Sequence, residues 1–363
     1  MNSRSDNTAS VAPEILAALT AVNDKPVGAY GDDPWSKKLD EVMSDVFERE
    51  VRVFTVASGT AANSIALASA VPPWGAVLCH REAHIECDEC GAPEFFSGGA
   101  KLVLMDGVGA KVTPEALREG IARNARGIHS VQPAALSISQ TTERGAVYRP
   151  EEVAALGEVA RGAGLAFHMD GARFANAIAS LGCKPGDVTW RAGVDLLSFG
   201  ATKNGAMAAE SIVVFDPARA EEVARRRKRG GHLFCKGRYP AAQFLAYLEN
   251  GLWLKLAKRD GVSSDITGKL DENGVLVLTV LDGEAKKLEL GEYRIDVSVK
   301  GGKGKGQATF SVVEGTLGSL SFAHDWKKVT RPDELEKING AWFLGNAAGA
   351  GKRWGNGLSF KNE

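Results

Sequence analysis

Short apolar runs alternate with Ala-rich stretches of helical spacing over most of the first 257 residues. Residues 51–56 form an apolar run that predicts a strand, and Ser58 is expected to open the helix that follows it. Residues 150–163 predict a further helix, with a proline at the start and glycines at the end. Other strands are predicted at residues 101–105, 127–130, 165–169 and 194–199. Because strands alternate with helices, we expect a largely parallel α/β sheet covered on both faces.

The hydrophobic period changes after a helix that is predicted from Pro240 to about Lys258. Strands without intervening helices are predicted at residues 268–281, 292–300 and 307–313, with a glycine-rich hairpin loop at residues 301–306. Apolar and polar side chains alternate strictly over residues 293–300, which is typical of a strand with one buried face. We therefore expect a large domain at residues 1–257, a small antiparallel, β-sandwich-like module at residues 262–318, and an unassigned Gly- and Trp-rich tail at residues 319–363.

Composition narrows the class of protein without identifying it. The chain has 363 residues, of which 44% are hydrophobic and 25% charged, an ordinary globular composition with room for two or three domains. A net charge of −1 argues against nucleic acid and membrane surfaces as partners. The chain lacks an apolar run of the ~20 residues that a membrane span needs, and its start lacks the apolar core of a secretion signal. A cytoplasmic protein is the expectation.

A C-x-x-C pair, Cys87 and Cys90, raises the question of a metal site. A structural zinc ion needs about four ligands, and no second pair with metal-ligand spacing follows in the sequence. We therefore expect reduced thiols and no bound metal.

Residues suited to one cofactor follow three of the predicted strands. Ser58, Gly59 and Thr60 offer free backbone N–H groups at a helix start, where a phosphate could bind. Asp170 and Lys203 each follow a strand of their own, and in an open parallel sheet such residues meet at the ligand-binding edge. An acid could keep a pyridine nitrogen protonated, and a lysine could supply the amine for an imine.

In their order, these motifs resemble the low-specificity L-threonine aldolases, which are fold-type I pyridoxal-phosphate enzymes of the β-eliminating lyase group. The resemblance covers residues 4–257. Its motifs lie at residues 4–7, 30–34, 57–63, 84, 89–96, 142–148, 168–173 and 198–205. It implies a carbon–carbon lyase that uses pyridoxal 5'-phosphate to cleave L-threonine, L-allo-threonine and related β-hydroxy-α-amino acids to glycine and an aldehyde. It also implies a homo-oligomer, either a dimer or a tetramer.

The resemblance also implies a role for each matching residue in cofactor binding. Lys203 would hold the cofactor as a Schiff base, and Asp170 would pair with the pyridinium nitrogen. His84 would stack on the ring, while the segment Ser58, Gly59 and Thr60 would hold the phosphate. The basic stretch from residue 225 to residue 236 corresponds loosely to a region that reaches the phosphate of a neighbouring subunit in the family.

For the substrate, the resemblance implies a second set of contacts. Arg173 would lie near the phenolic oxygen of the cofactor and the substrate carboxylate, and Ser5 would also contact that carboxylate. His129 would lie near the β-hydroxyl group and act as the base, directly or through a water, with His84 beside the substrate.

The carboxyl-terminal part departs from the family. No segment after residue 257 resembles the family motif that supplies a second arginine to the substrate carboxylate, and the β module stands in place of the usual C-terminal domain. Two hypotheses follow. The chain is an aldolase, with activity impaired if that arginine is lost, or it is a fused or rearranged chain with an inactive aldolase-like portion and a β-rich adhesion or assembly module.

Overall fold

The computed structural model describes residues 6–8, 10–124 and 126–257, together with seven later strands whose bounds are given below. The chain divides into two compact units, Ala9–Lys258 and a second one formed by Met1–Thr8 with Arg259–Glu363. No helix of the described residues is long and apolar enough to cross a membrane.

A seven-stranded sheet forms the centre of the unit Ala9–Lys258, in the order β1-β7-β6-β5-β4-β2-β3. Strand β7 runs antiparallel to both of its neighbours, and the other pairs are parallel. The predicted, mostly parallel α/β sheet is therefore confirmed. The strands are β1 Arg52–Val56, β2 Gly75–His80, β3 Lys101–Met105, β4 Gln132–Ser139, β5 Ala166–Gly171, β6 Leu196–Gly200 and β7 Glu210–Val214.

Helices cover both faces of this sheet. Two neighbouring residues of β6 point to opposite faces of the sheet and pack in different hydrophobic clusters. Leu196 packs in the cluster with α3, and Leu197 packs in the cluster around Phe47. In that second cluster the rings of Phe47 and Phe215 meet edge to face at 5.1 Å. The helices are α1 Pro13–Ala21, α2 Pro34–Phe47, α3 Gly59–Ala70, α4 His84–Cys87, α5 Ala92–Ser97, α6 Pro114–Asn124, α7 Pro150–Gly162, α8 Phe174–Leu181, α9 Ala220–Arg229, α10 Arg238–Leu248 and α11 Leu252–Ala257.

The prediction of a strand at residues 127–130 was wrong. Gly127–His129 form a 3-10 turn, and Gly127 has a φ of +60°, which a strand does not allow. The Ser130 hydroxyl donates a hydrogen bond of 2.6 Å to the Asn124 carbonyl and ties this turn to the end of α6. The strand β4 therefore begins only at Gln132.

The single helix that was predicted from residue 240 to about 258 is also interrupted. Helix α10 ends at Leu248, and Asn250 has a left-handed backbone with a φ of +50° before α11 begins at Leu252. A left-handed residue ends the helical hydrogen-bond pattern, so the chain changes direction there.

The second unit contains the later strands. A five-stranded antiparallel sheet has the order β11-β10-β13-β8-β9, and β12 pairs with β14. Residues 268–281, predicted as one strand, contribute to two strands that pair with each other, and most of the predicted loop at residues 301–306 lies outside the described residues. Because β13 also joins this sheet beyond residue 318, the limits of the module stay a prediction. The strands are β8 Ile266–Leu270, β9 Leu276–Val280, β10 Gly291–Val299, β11 Lys305–Val312, β12 Leu320–Ser321, β13 Leu335–Ala341 and β14 Phe343–Leu344.

Candidate active site

Three adjacent strands end at one edge of the seven-stranded sheet. The register pairs Ser139 of β4 with Asp170 of β5, and Asp170 with Ser198 of β6. Since these strands are parallel, the segments that follow them start side by side. The chain thus brings Glu143, Asp170 and Lys203 to the same carboxyl edge.

Asp170 is a buried carboxylate held from two sides. It is only 7% exposed, and its Oδ2 accepts a hydrogen bond of 2.9 Å from the Asn63 side chain on α3. Its Oδ1 accepts a hydrogen bond of 3.0 Å from the Ala172 amide. These donors fix the orientation of a group that could pair with a protonated ring nitrogen.

Below Asp170, His168 joins the three strands β4, β5 and β6. It is fully buried, and its ring nitrogens lie 2.9 Å from the Ser137 hydroxyl and 3.0 Å from the Ser198 hydroxyl. Burial lowers the pKa of His168 to about 4, so the ring is neutral at ordinary pH. A neutral imidazole with two hydroxyl partners holds the strand that carries Asp170 in register.

His84 and Glu89 form a second pair beside Asp170. The Nδ1 atom of His84 lies 2.8 Å from Glu89 Oε1, and the Asn63 side chain donates to the same oxygen at 2.8 Å. The hydrogen bond with Glu89 raises the pKa of His84, while burial raises the pKa of Glu89. Asn63 therefore links the carboxylates of Glu89 and Asp170 through one amide group.

The same three residues are close enough together to be considered as a metal site. His84, Glu89 and Asp170 each bring one ligand atom within 4.8 Å of the others. However, the Asn63 side-chain amide donates hydrogen bonds to both carboxylates. Its N–H groups therefore occupy the place beside the Glu89 and Asp170 oxygens that a bound cation would need. The donors present favour a hydrogen-bonded cofactor site.

Glu143 is a further site residue, one to which the sequence motifs assign no role. Its Oε1 accepts hydrogen bonds from the His84 amide at 2.9 Å and from the Ser139 hydroxyl at 2.6 Å. Burial raises the pKa of Glu143, so this carboxyl is more basic than an exposed one. The residue was visible only as part of the motif at residues 142–148, because nothing local in the sequence signals a contact with residue 84.

Lys203 lies in the 3-10 turn Thr202–Asn204 that follows β6. Asn204 anchors this turn, since its side chain donates to the Tyr247 hydroxyl at 2.7 Å and to the Trp253 carbonyl at 2.9 Å. Within the described part of the chain, no hydrogen bond or ion pair engages the Lys203 amine. The structure thus presents a half-buried amine on a fixed turn, as covalent catalysis requires.

The segment Ser58, Gly59 and Thr60 begins α3 at the same edge. The Ser58 hydroxyl caps the helix by accepting a hydrogen bond of 3.2 Å from the Ala61 amide. The first amides of a helix have no partner within the helix, and together with the helix dipole they suit an anion.

Comparisons with known proteins identify the family. The family model for beta-eliminating lyases matches residues 3–334 of this chain. This chain belongs to that family. The match extends beyond residue 257, where the resemblance was expected to end.

Two threonine aldolases are similar to this member of the beta-eliminating lyase family. A low specificity L-threonine aldolase of Pseudomonas sp. (strain NCIMB 10558) is 41% identical over 294 residues, which are 80% of this chain and 85% of that enzyme. A threonine aldolase of Leishmania major has a similar structure, with a TM-score of 0.66 and 29% identity over 70% of this chain and 73% of that one. The chain is therefore a carbon–carbon lyase, and pyridoxal-phosphate-dependent threonine cleavage is supported at the level of the family.

The fold is shared more widely. Cystalysin from Treponema denticola, whose structure contains pyridoxal 5'-phosphate, has a TM-score of 0.52 over 68% of this chain and 64% of that one, at 15% identity. The site of the beta-eliminating lyase described here fits the same cofactor, because a buried carboxylate, an amine that no described residue engages and a helix start lie at one edge. Lys203, Asp170 and the start of α3 would hold it.

The remaining predicted residues are not all brought to this edge. Arg173 is half-buried directly before α8, three residues beyond Asp170. Ser5 lies outside the described residues. His129 is exposed in the turn before β4, and the β4 register pairs Gln132 with Gly75 at the amino edge of the sheet. A strand rises about 3.3 Å per residue, so the length of β4 separates His129 from the Asp170 edge by roughly 20 Å.

The basic stretch on α9 is largely paired within its own unit. Arg225 and Arg226 form ion pairs with glutamates one turn earlier, Glu221 and Glu222. Arg227 points inward, and its guanidinium donates to the Thr55 carbonyl at 2.6 Å. The expected contact with the phosphate of a neighbouring subunit stays a prediction.

Proposed function

We propose that this enzyme cleaves L-threonine, L-allo-threonine and related β-hydroxy-α-amino acids to glycine and an aldehyde. The observation that carries the proposal is the meeting of Lys203, Asp170 and His84 at one sheet edge in a chain 41% identical to a low specificity L-threonine aldolase. The alternative, an inactive aldolase-like portion fused to an adhesion module, has no support from the comparisons.

Each residue at this edge receives one task in binding the cofactor. Lys203 supplies the amine for covalent attachment, and Asp170 pairs with the protonated ring nitrogen. His84, held by Glu89, stacks on the ring and also faces the substrate. Ser58, Gly59 and Thr60 hold the phosphate. When bound, pyridoxal phosphate accepts the electron pair that the breaking Cα–Cβ bond releases.

The substrate needs a cation for its carboxylate and a base for its hydroxyl group. Arg173 and Ser5 are proposed as the carboxylate contacts, as the resemblance implies. For the base we propose Glu143 instead of His129, because Glu143 lies at the cofactor edge beside His84 and its pKa is raised by burial. A carboxylate with a raised pKa accepts a hydroxyl proton more readily than an ordinary one.

We propose a homo-oligomer, a dimer or a tetramer, as the assembly. We also propose that residues 262–318 form a small antiparallel module in place of the usual C-terminal domain, with residues 319–363 as a tail. Antiparallel pairing of β10 with β11 and of β8 with β9 supports the module. Sedimentation would test the oligomer, and limited proteolysis with mass mapping would test the module boundaries.

The decisive test combines product analysis with cofactor mapping on the full chain. Incubation with L-threonine should yield glycine and acetaldehyde, and borohydride should fix the cofactor covalently on the peptide that contains Lys203. Lys111→Ala is the control, because Lys111 pairs with Glu152 on α7 and has no role in the proposal. This variant should still form glycine and carry the reduced adduct on the Lys203 peptide. A reduced adduct on any other lysine would refute the assignment of Lys203, and absence of glycine would refute the activity.

A further inference from the structure

Glu210 is a buried acid at the active edge to which the proposed function gives no task. It is 8% exposed and is the first residue of β7. Because β7 runs antiparallel to β6 and β1, its first residue lies where those strands end, opposite Gly200 and Val56. Glu210 therefore belongs to the same edge as Asp170 and Lys203.

The Glu210 carboxyl occupies space that a side chain at Gly200 would need. Its Oε2 would be 2.7 Å from a Cβ atom at Gly200, a distance that real Cβ atoms essentially never show. The same oxygen would be 3.9 Å from a Cβ atom at Gly59, the first residue of α3. The carboxyl thus lies beside the helix start that is proposed to hold the phosphate.

The groups around Glu210 set its charge. Burial raises its pKa to about 7, and the charge of Asp170 adds to this rise. Hydrogen bonds from Thr202 and the charge of Lys203 act in the opposite direction. Tyr247, a further titratable group that faces it, is itself neutral because burial raises the pKa of its hydroxyl. Glu210 is therefore protonated or ionised depending on the pH within the ordinary working range.

We propose that Glu210 is a phosphate-recognition residue of the cofactor site, protonated when the cofactor is bound and repelling the phosphate when ionised. A protonated carboxyl can donate a hydrogen bond to a phosphate oxygen, whereas a carboxylate offers only acceptors. Two anions in one buried site disfavour each other, so the phosphate raises the pKa of Glu210 further. The inference rests on the phosphate position in the proposed function.

The sign of the pH effect follows from this coupling. When the pH is below the pKa of Glu210 in the cofactor-free enzyme, Glu210 already carries its proton. Cofactor binding then requires no proton uptake at this residue. Above it, binding must take up a proton, so the affinity for the phosphorylated cofactor falls by up to about tenfold per pH unit. The non-phosphorylated cofactor, pyridoxal, has no such dependence at Glu210.

The experiment titrates the cofactor-stripped full chain with pyridoxal phosphate and with pyridoxal between pH 7 and pH 9, above the phosphate's own pKa of about 6. Dissociation constants are read from absorbance for the parent and for Glu210→Gln, in which a neutral amide replaces the acid. We expect the parent to lose affinity for pyridoxal phosphate over this range about tenfold more than Glu210→Gln does. With pyridoxal, the two proteins should show the same dependence.

Asp195→Asn is the matched control, because it neutralises a partly buried acid of the same sheet that contacts the Phe167 amide away from the cofactor edge. It should retain the parent's difference between pyridoxal phosphate and pyridoxal. Equal pH dependence in the parent and Glu210→Gln would overturn the inference and leave the proposed function standing. No binding of pyridoxal phosphate by the parent at pH 7 would overturn both. If Glu210→Gln fails to fold, the parent alone decides, since equal pH dependence for the two cofactors contradicts the proposal.

Discussion

The two edges of the parallel sheet carry similar residues in different surroundings. At the carboxyl edge, His84 contacts Glu89 through its ring and Glu143 through its backbone. At the amino edge, His129 is exposed in a short turn. The same comparison can be made between two aspartates. Asp170 lies near the end of β5 at the carboxyl edge, and Asp195 lies directly before β6 at the amino edge.

The difference lies in what each acid does. Asp195 accepts a hydrogen bond of 2.8 Å from the Phe167 amide, so it joins β6 to β5. Asp170 receives a side-chain amide, Asn63, that also reaches Glu89, and it lies beside other ionisable groups. Groups that perturb one another's charge lie together at the carboxyl edge, which is where open α/β sheets bind ligands. Residue type alone therefore does not distinguish catalysis from strand pairing in this sheet.

The sharpest test of this contrast replaces one aspartate at each edge. We expect Asp170→Asn to lower kcat for threonine cleavage by about 100-fold or more, because a neutral amide no longer stabilises a protonated ring nitrogen. Cofactor binding should change far less, since Lys203 and the start of α3 remain. Asp195→Asn, the matched control, should keep kcat near the parent value. Steady-state kinetics and cofactor absorbance measure both, and a parental kcat in Asp170→Asn would refute the role of this carboxylate.

The second test compares the two candidate bases. Glu143→Gln keeps the shape of the side chain but cannot accept a proton, and we expect kcat to fall by about 100-fold. His129→Gln should change kcat by less than about twofold, because an exposed substitution far from the site is usually neutral. The same assay measures both variants. A large loss in His129→Gln with none in Glu143→Gln would restore the assignment made from the sequence and contradict the proposal of Glu143 as the base.

The part of the site that the sequence predicted rests on strand ends. Asp170 and Lys203 follow recognisable apolar runs, so their meeting at one edge could be expected before the fold was known. Glu143 and Glu210 could not be found in this way, since their neighbours in space lie on other strands and loops. A contact between distant segments leaves no local pattern in a single sequence.

The strands β2 and β7 were not predicted, and the turn Gly127–His129 was mistaken for a strand; each error has a physical reason. β2 is buried along its whole length, so it lacks the alternation that marks a strand with one exposed face. β7 begins with Glu210 and Ser211, two polar residues that are buried in the fold although their residue types do not indicate it. In the turn Gly127–His129, apolar Ile128 imitated a strand residue although it is exposed.

The smallest expected effect concerns His168, which supports the carboxyl edge without lying at it. Its pKa of about 4 in the folded chain is below the ordinary value of 6.5, so protonation favours the unfolded chain. The free energy of unfolding should therefore fall by about 1 kcal/mol per pH unit as the pH drops from 6.5 towards 4, and this contribution should level off below 4.

The variant His168→Gln separates the contribution of His168 to the pH dependence of unfolding from the contributions of the carboxyl groups. A glutamine amide can still hydrogen-bond to Ser137 and Ser198, but it does not titrate, so the variant should lose less stability than the parent between pH 6.5 and pH 4.5. Urea unfolding at several pH values, followed by circular dichroism, measures the two slopes. Equal slopes would mean that His168 is already protonated in the folded chain. The hydroxyls of Ser137 and Ser198 would then accept hydrogen bonds from both ring nitrogens. The side chain that links β4, β5 and β6 would be a charged imidazolium and not a neutral imidazole.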